Sequence, residues 1–459
     1  MRCALLALAL LAAAPGDWPP GTRLGLLVVD ADGRELVAAR ADERFVPASN
    51  AKLFTAAAAF ATLDIAAPDA AGGATVRLER RDVVLTGHGD ARLSSAPDCR
   101  VDCLADLARA IAARTHVVRD VIGDDTAFPD ERWPAGMSWN NMAGRYGTAI
   151  SALTVDDNVV AVTVTPGARD GAAATVAGDG YYRPESRVIT GGTKSSLGAT
   201  RVPGSDLLRV AGTVPAGARA TLWVAVDDPA HRAAWQLAAL LRAAGVRVTG
   251  RVTVRHRPSS NADDPARRGA TPMPGVPERA VLARLTPPPL ADDLRATMKA
   301  SQNLHAELLL RRVGAARGSG SVADGQAAVR ALLDRAGVAR AATEFADGSG
   351  MSSYDRITPR AAVALLRWTQ AQPWGAAFRD TLPVGAIDGT LAHRFAGTPL
   401  AGKVFAKTGS LNAANALSGF LVAASGRTLT FSALANDMAD DASATRAIDR
   451  ALVEIAARN

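Results

Sequence analysis

The two ends of this 459-residue chain read as halves of one domain, and the stretch between them has a different texture. Apolar runs at 24–30 and 35–39, separated by Asp32-Gly33, predict a β-hairpin, and alanine-rich 51–63 predicts a buried helix. Near the C-terminus, helices are predicted over 290–313, 321–336 and 359–370, strands over 404–408, 416–423 and 428–434, and a last helix over 443–457. Together the ends make an α/β (α+β) domain, an antiparallel sheet flanked by helices, formed by 22–70 and 286–459. Between them, short strand-like runs at 83–86, 159–164, 222–226 and 246–254 alternate with Gly, Asp and Pro turns. Helical stretches at 104–114 and 231–244 interrupt them, and a loop rich in Pro, Asn and Asp, 258–277, closes the region. The expectation is a large insertion at 71–285, with no repeat of fixed period.

Composition excludes several classes of function. Net charge is +7, but the positive charge is spread and carries no nucleic-acid-binding signature. Arg2, an apolar run from Ala4 to Ala14, and then Pro15-Gly16 read as a secretory signal peptide over 1–16. Export is therefore expected, to the periplasm if the source is Gram-negative. No later segment is long and apolar enough to cross a bilayer. Beyond Cys3, the cysteines are Cys99 and Cys103, which an oxidising compartment could join in a small loop or leave as two thiols. Neither histidines nor a second cysteine pair stand near enough to complete a metal site, and no cofactor is expected.

Of the 52 cationic side chains only five are lysine, namely Lys52, Lys194, Lys299, Lys403 and Lys407. Lysine, unlike arginine, can lose its proton near neutral pH when buried. Lys52 follows Ser49 by three residues, which on a helix puts amine and hydroxyl on one face. Ser49 is expected at the helix N-terminus, where free N–H groups favour a developing oxyanion. A serine hydroxyl needs a base, and a desolvated lysine can serve. No Gly-x-Ser-x-Gly elbow is present, which argues against an α/β-hydrolase. Two further motifs follow, Ser301-Gln302-Asn303 in a helical stretch and Lys407-Thr408-Gly409 at a strand end. A helix cap, a polar helix face or a strand-end turn explains any one of them, but not all three in order.

Ser-x-x-Lys, Ser-x-Asn and Lys-Thr-Gly in this order are the signature of penicillin-binding proteins and serine β-lactamases. With Tyr146-Gly147, Ile150 through Asn158, Asp347-Gly348-Ser349-Gly350-Met351-Ser352, Asp388-Gly389-Thr390-Leu391 and Ser410-Leu411, the sequence resembles the class C low-molecular-mass penicillin-binding proteins. These are D-alanyl-D-alanine carboxypeptidases and endopeptidases, and the resemblance runs from about residue 22 to the C-terminus. It implies a penicillin-binding fold, split by an insertion of two smaller, mostly-β domains, one nested in the other. It further implies that Ser49 is acylated by peptidoglycan stem peptides and, as inhibitors, by β-lactams, with Lys52 as base. Ser301 would relay a proton to the departing D-alanine, Asn303 would hold the substrate amide, and Lys407 would position Ser301 and attract the terminal carboxylate. Thr408 and Ser410, around Gly409, would bind that carboxylate, and the backbone N–H groups of Ser49 and Ser410 would form the oxyanion hole. Trp139 and Asn141 would meet the third stem residue, or Trp139 would pack a domain interface.

The sequence departs from the family pattern at three places. Gln302 stands where aspartate is common, His305 where an aromatic residue or Met is usual, and Asn141 where related sequences carry an acid. A β-lactamase and a silent envelope-binding scaffold are the competing functions.

Overall fold

A computed structural model describes residues 18–269, 279–439 and 441–459, so the leader expected over 1–16 and part of the 258–277 loop lie outside the described residues. Strands β1 (Arg23–Val29) and β2 (Glu35–Ala39) form the hairpin, turning where Gly33 takes a φ of +88°. Helix α1 (Ala51–Thr62) follows. At the other end of the chain come α2 (Leu290–Ala300), α3 (Asn303–Ala315), α4 (Pro359–Gln370), strands β3 (Val404–Leu411), β4 (Ala414–Val422) and β5 (Thr428–Asn436), and α5 (Thr445–Arg458).

The chain ends interlock in one antiparallel sheet of order β3-β4-β5-β1-β2, with β1 hydrogen-bonded to β5 along its length. Alternation along the strands sends side chains to two cores, as a period of two requires. Ala416, Phe420 and Leu434 face α1, α2, α3 and α4, whereas Leu417, Leu421, Phe431 and Ala433 face Ile448, Leu452 and Ile455 of α5. The result is helices on both faces of a sheet whose β3 edge is bridged by Val384 at Phe405, with no strand paired to it beyond Lys407 among the described residues.

Between these segments lies a second five-stranded sheet, ordered Val252–Arg255, Val121–Asp124, Asp82–Thr86, Thr75–Glu79, Ala283–Arg284. Helices Leu104–Ala112 and Pro229–Ala243 supply its core. Within its span, two three-stranded sheets enclose a separate core that includes Val160, Val162, Val188, Val210 and Val224. Cys99 and Cys103 are joined in a disulfide just before Leu104–Ala112.

The strand expected over 246–254 is two strands, Arg247–Val248 and Val252–Arg255. They part at Gly250, where a Cβ would lie 2.0 Å from Asp120 Oδ1. Another correction concerns 290–313, expected as one helix. The chain breaks between α2 and α3 at Ser301, which adopts a left-handed φ of +61°. Gln302 then turns extended and caps α3, its side-chain oxygen accepting from Asn303 N at 3.0 Å. Polar side chains that bond to nearby backbone compete with the helix, and here that competition opens an elbow.

Candidate active site

Ser49 lies in a single 3₁₀ turn, Ala48–Asn50, that runs straight into α1. Two close backbone approaches hold this turn. A Cβ on Gly350 (φ +84°) would lie 1.9 Å from Ala48 O, and one on Gly409 would lie 2.6 Å from Pro47 O. Asn50 Nδ2 donates to Lys407 O at 3.0 Å, tying the turn to β3.

Lys52, one helical turn on, is buried, with Nζ 2.9 Å from Ser49 Oγ, 2.6 Å from Asn303 Oδ1 and 2.7 Å from Ser349 O. This set of partners decides what the amine can do. A neutral amine has two N–H bonds and one lone pair. Asn303 Oδ1 and Ser349 O accept the two N–H bonds, which leaves the lone pair to the Ser49 hydroxyl. Burial drives the Lys52 pKa down, Asp347, Glu307 and Asp355 pull it back up, and it comes to about 8.

Those carboxylates sit behind the amine. Glu307 accepts from Gly348 N and Ser349 N, so it holds the Ser349 carbonyl that binds Lys52. Asp347 accepts from Gly350 N (2.6 Å) and Ser352 N (2.7 Å), closing the Asp347–Ser352 loop. Burial and the neighbouring Asp347 raise Glu307 to about 7 and put Asp355 well above the usual carboxylate range. The Asp-Gly-Ser-Gly run was visible in the sequence, but Glu307, within an apolar helix, was not singled out.

Lys407 stands mid-strand in β3 rather than at a strand end, because β3 continues to Leu411. Its Nζ donates to Ser301 Oγ (2.8 Å) and Thr408 O (2.9 Å). Burial first, and then the Lys52 cation, hold it well below the ordinary lysine range. The mutual repulsion of the two lysines thus falls on Lys407, whereas carboxylates answer the burial of Lys52.

Asn303 uses both ends of its amide, accepting from Lys52 and donating Nδ2 to Tyr146 O at 3.0 Å. One Nδ2 hydrogen is left for a ligand. Gln302 points away from Lys52 and donates to Asp157 Oδ2 at 3.1 Å. His305 lies between Asp293 Oδ1 (2.6 Å) and Asp157 Oδ1 (2.9 Å). Burial favours the neutral ring, but these two carboxylates outweigh it and raise His305 to about 10. An imidazolium therefore clamps the elbow to the 156–158 turn, whose three residues all have left-handed φ. The sequence alone marks His305 as a departure from the family pattern without saying what it does.

Ser49, Ser301, Asn303, Thr408, Ser410, Tyr146 and Asn141 line one cavity of about 550 Å³. Thr408 Oγ1 donates to Thr390 Oγ1 (2.7 Å), and Asn415 Nδ2 to Ser410 Oγ (3.4 Å). Asn141 reaches the cavity because Gly147 has no side chain: a Cβ there would lie 2.3 Å from Asn141 O. Trp139, in the same turn, is 82% exposed; it neither lines this cavity nor packs an interface. A nucleophile, a buried amine, a second serine–lysine pair and an open strand edge thus converge, the equipment for acyl transfer to a peptide carbonyl.

Comparison with known proteins agrees with this chemistry. The model of the D-Ala-D-Ala carboxypeptidase 3 (S13) family matches residues 9–459. A D-alanyl-D-alanine carboxypeptidase of Actinomadura sp. (strain R39) is 35% identical over 448 residues, covering 91% of this chain and 78% of that protein. The D-alanyl-D-alanine carboxypeptidase DacB of Haemophilus influenzae is 23% identical over 433 residues, 90% of this chain and 85% of its own. The crystal structure of penicillin binding protein 4 from Haemophilus influenzae shares the fold, with a TM-score of 0.79 at 21% identity and 97% of each chain covered.

Proposed function

The chain belongs to the D-Ala-D-Ala carboxypeptidase 3 (S13) family, and from that premise we propose that Ser49 is the residue through which it cleaves its substrate. The protein is a D-Ala-D-Ala carboxypeptidase, a penicillin-binding enzyme of peptidoglycan peptides. The observation that carries the assignment is the Lys52 amine 2.9 Å from Ser49 Oγ, with its other two partners fixed.

Neutral Lys52 takes the Ser49 proton as Oγ attacks the penultimate D-Ala carbonyl. The oxyanion forms between the backbone N–H groups of Ser49 and Ser410, where one donor is worth about 2.7–4 kcal/mol of barrier. The proton that Lys52 took from Ser49 passes by way of Ser301, held by Lys407, to the departing D-alanine nitrogen, so Lys52 and Ser301 return to their starting states. Water then attacks the ester, its hydroxyl going to the acyl carbon and its proton to Ser49 Oγ. Thr408 and Ser410 hold the terminal carboxylate. Its arrival favours a charged Lys407, since an opposite charge raises an amine's pKa. Asn303 directs its free Nδ2 hydrogen to the substrate amide. Cross-linked peptides present the same D-Ala carbonyl, so endopeptidase action follows from the same steps.

Asn141, with Trp139 beside it, meets the side chain of the third stem residue. Without an acidic group there, preference for an amine-bearing side chain is weak. The apolar N-terminal run and the Cys99–Cys103 disulfide support export and work in the periplasm. Muropeptides incubated with the enzyme, with and without penicillin, test the reading by mass: loss of one D-alanine, blocked by penicillin with an adduct on Ser49, is expected. Rapid penicillin turnover would instead mark a β-lactamase, and no adduct a binding scaffold.

A further inference from the structure

A second cavity, of about 780 Å³, backs onto the catalytic one. The two share a wall: Arg145 and Gln302 face the second cavity, while their chain neighbours Tyr146, Ser301 and Asn303 face the first. Most charged groups around the second cavity are committed. Asp157 holds Gln302 and His305, Asp156 holds Ser95, and Arg232 pairs with Asp179 beneath the Tyr181 and Trp235 rings.

Three lining groups are not committed. Arg145 is exposed and has no ion pair or hydrogen bond among the described residues, only its own Tyr146 ring at 5.4 Å. The Gln236 amide and the Trp223 indole N–H likewise have no hydrogen-bond partner among the described residues. Trp223 is 48% exposed on strand Ala220–Ala225, and the residue directly across from it is Ala161, itself exposed and too small to cover the ring. A bare aromatic face with one amide and one guanidinium is the lining of a site for a ring that carries amide and carboxylate groups nearby. A peptide bound at Ser49 would extend over the shared wall toward it.

We propose that this cavity binds the sugar end of the substrate: an N-acetylated amino-sugar ring of the glycan strand lies on Trp223. Gln236 meets its acetamido group, and Arg145 meets a carboxylate of the stem peptide leading from that sugar to Ser49. The proposal rests on the peptidase reading, and the two fail separately, because hydrolysis of a sugar-free stem peptide tests only the latter. The experiment compares kcat/KM for a free pentapeptide ending in D-Ala-D-Ala with that for the same peptide attached to its disaccharide. Wild-type enzyme is expected to prefer the disaccharide-bearing substrate about tenfold, corresponding to about 1.4 kcal/mol. Trp223→Ala and, independently, Ala161→Phe, which covers the indole face, are expected to abolish the preference and leave the free peptide unaffected. The peptide-free disaccharide should compete only with the disaccharide-bearing substrate. Equal wild-type rates on both substrates, or a preference that survives in whichever of the two variants folds, would overturn the proposal.

Discussion

The two buried lysines of the cleft keep opposite company. Behind Lys52 stand Asp347, Glu307 and Asp355, which partly restore the charge that burial opposes and bring its pKa to about 8. Lys407 has no such support: burial and the Lys52 cation both act against its charge. An amine that must take a proton and give it back needs a pKa near the working pH, which the first arrangement supplies. An amine that awaits a carboxylate needs no resident anion, because one would compete with the ligand. The sequence shows two lysines in two motifs; the difference between them comes from what folds behind each.

Substitutions can break or sharpen this contrast. Lys52→Arg keeps the charge but removes the base, and acylation by a fluorescent penicillin should fall on the order of 10³-fold or more, within the range of general-base effects. Normal labelling would remove Lys52 from the mechanism. Lys407→Met should lower kcat/KM for a D-Ala-D-Ala peptide about 10²–10³-fold, the scale of a lost electrostatic donor. The limb attributed to Lys52 should stay near pH 8 in that variant, a point read from its pH–rate profile. Asp347→Asn removes the carboxylate that raises Lys52 most, so the limb should move to lower pH; an upward limb would deny Asp347 that role.

The elbow offers a separate measure, in stability. His305→Leu leaves Asp293 buried without its cation and should cost about 3–5 kcal/mol in denaturant unfolding. The sign of the pH dependence follows from a raised folded-state pKa. His305 contributes fully below the unfolded value near 6.5, and its contribution is lost as pH rises through about 10. Wild type and variant should therefore converge in stability across that window.

Much of the outer fold was legible in the sequence. Alternation and turn residues marked β1, β2, β4 and β5, and the alanine-rich run marked α1, because a half-buried sheet and a fully buried helix leave strong patterns. Strands Arg183–Thr190 and Ser196–Arg201 escaped, since their faces are largely solvated and they carry Arg, Thr and Gly rather than alternating apolar residues. The elbow at Ser301 escaped for another reason. No Gly or Pro marks it, and the local Gln302 cap that opens it is joined by a tertiary bond, from a lysine more than a hundred residues away to the serine. The motifs named the groups that now line the catalytic cavity, but not the carboxylates behind Lys52 or the ion-paired His305. A buried acid inside an apolar helix looks like any helical polar residue until its partners are known.

The central claim is that an uncharged Lys52 takes the proton from Ser49. Its most direct test is the second-order rate of penicillin acylation measured from pH 6 to 10, with the adduct located by mass spectrometry. The rate should climb as pH rises through about 8, with the label on Ser49. A rate that is flat across this range, or a label on another residue, would contradict it.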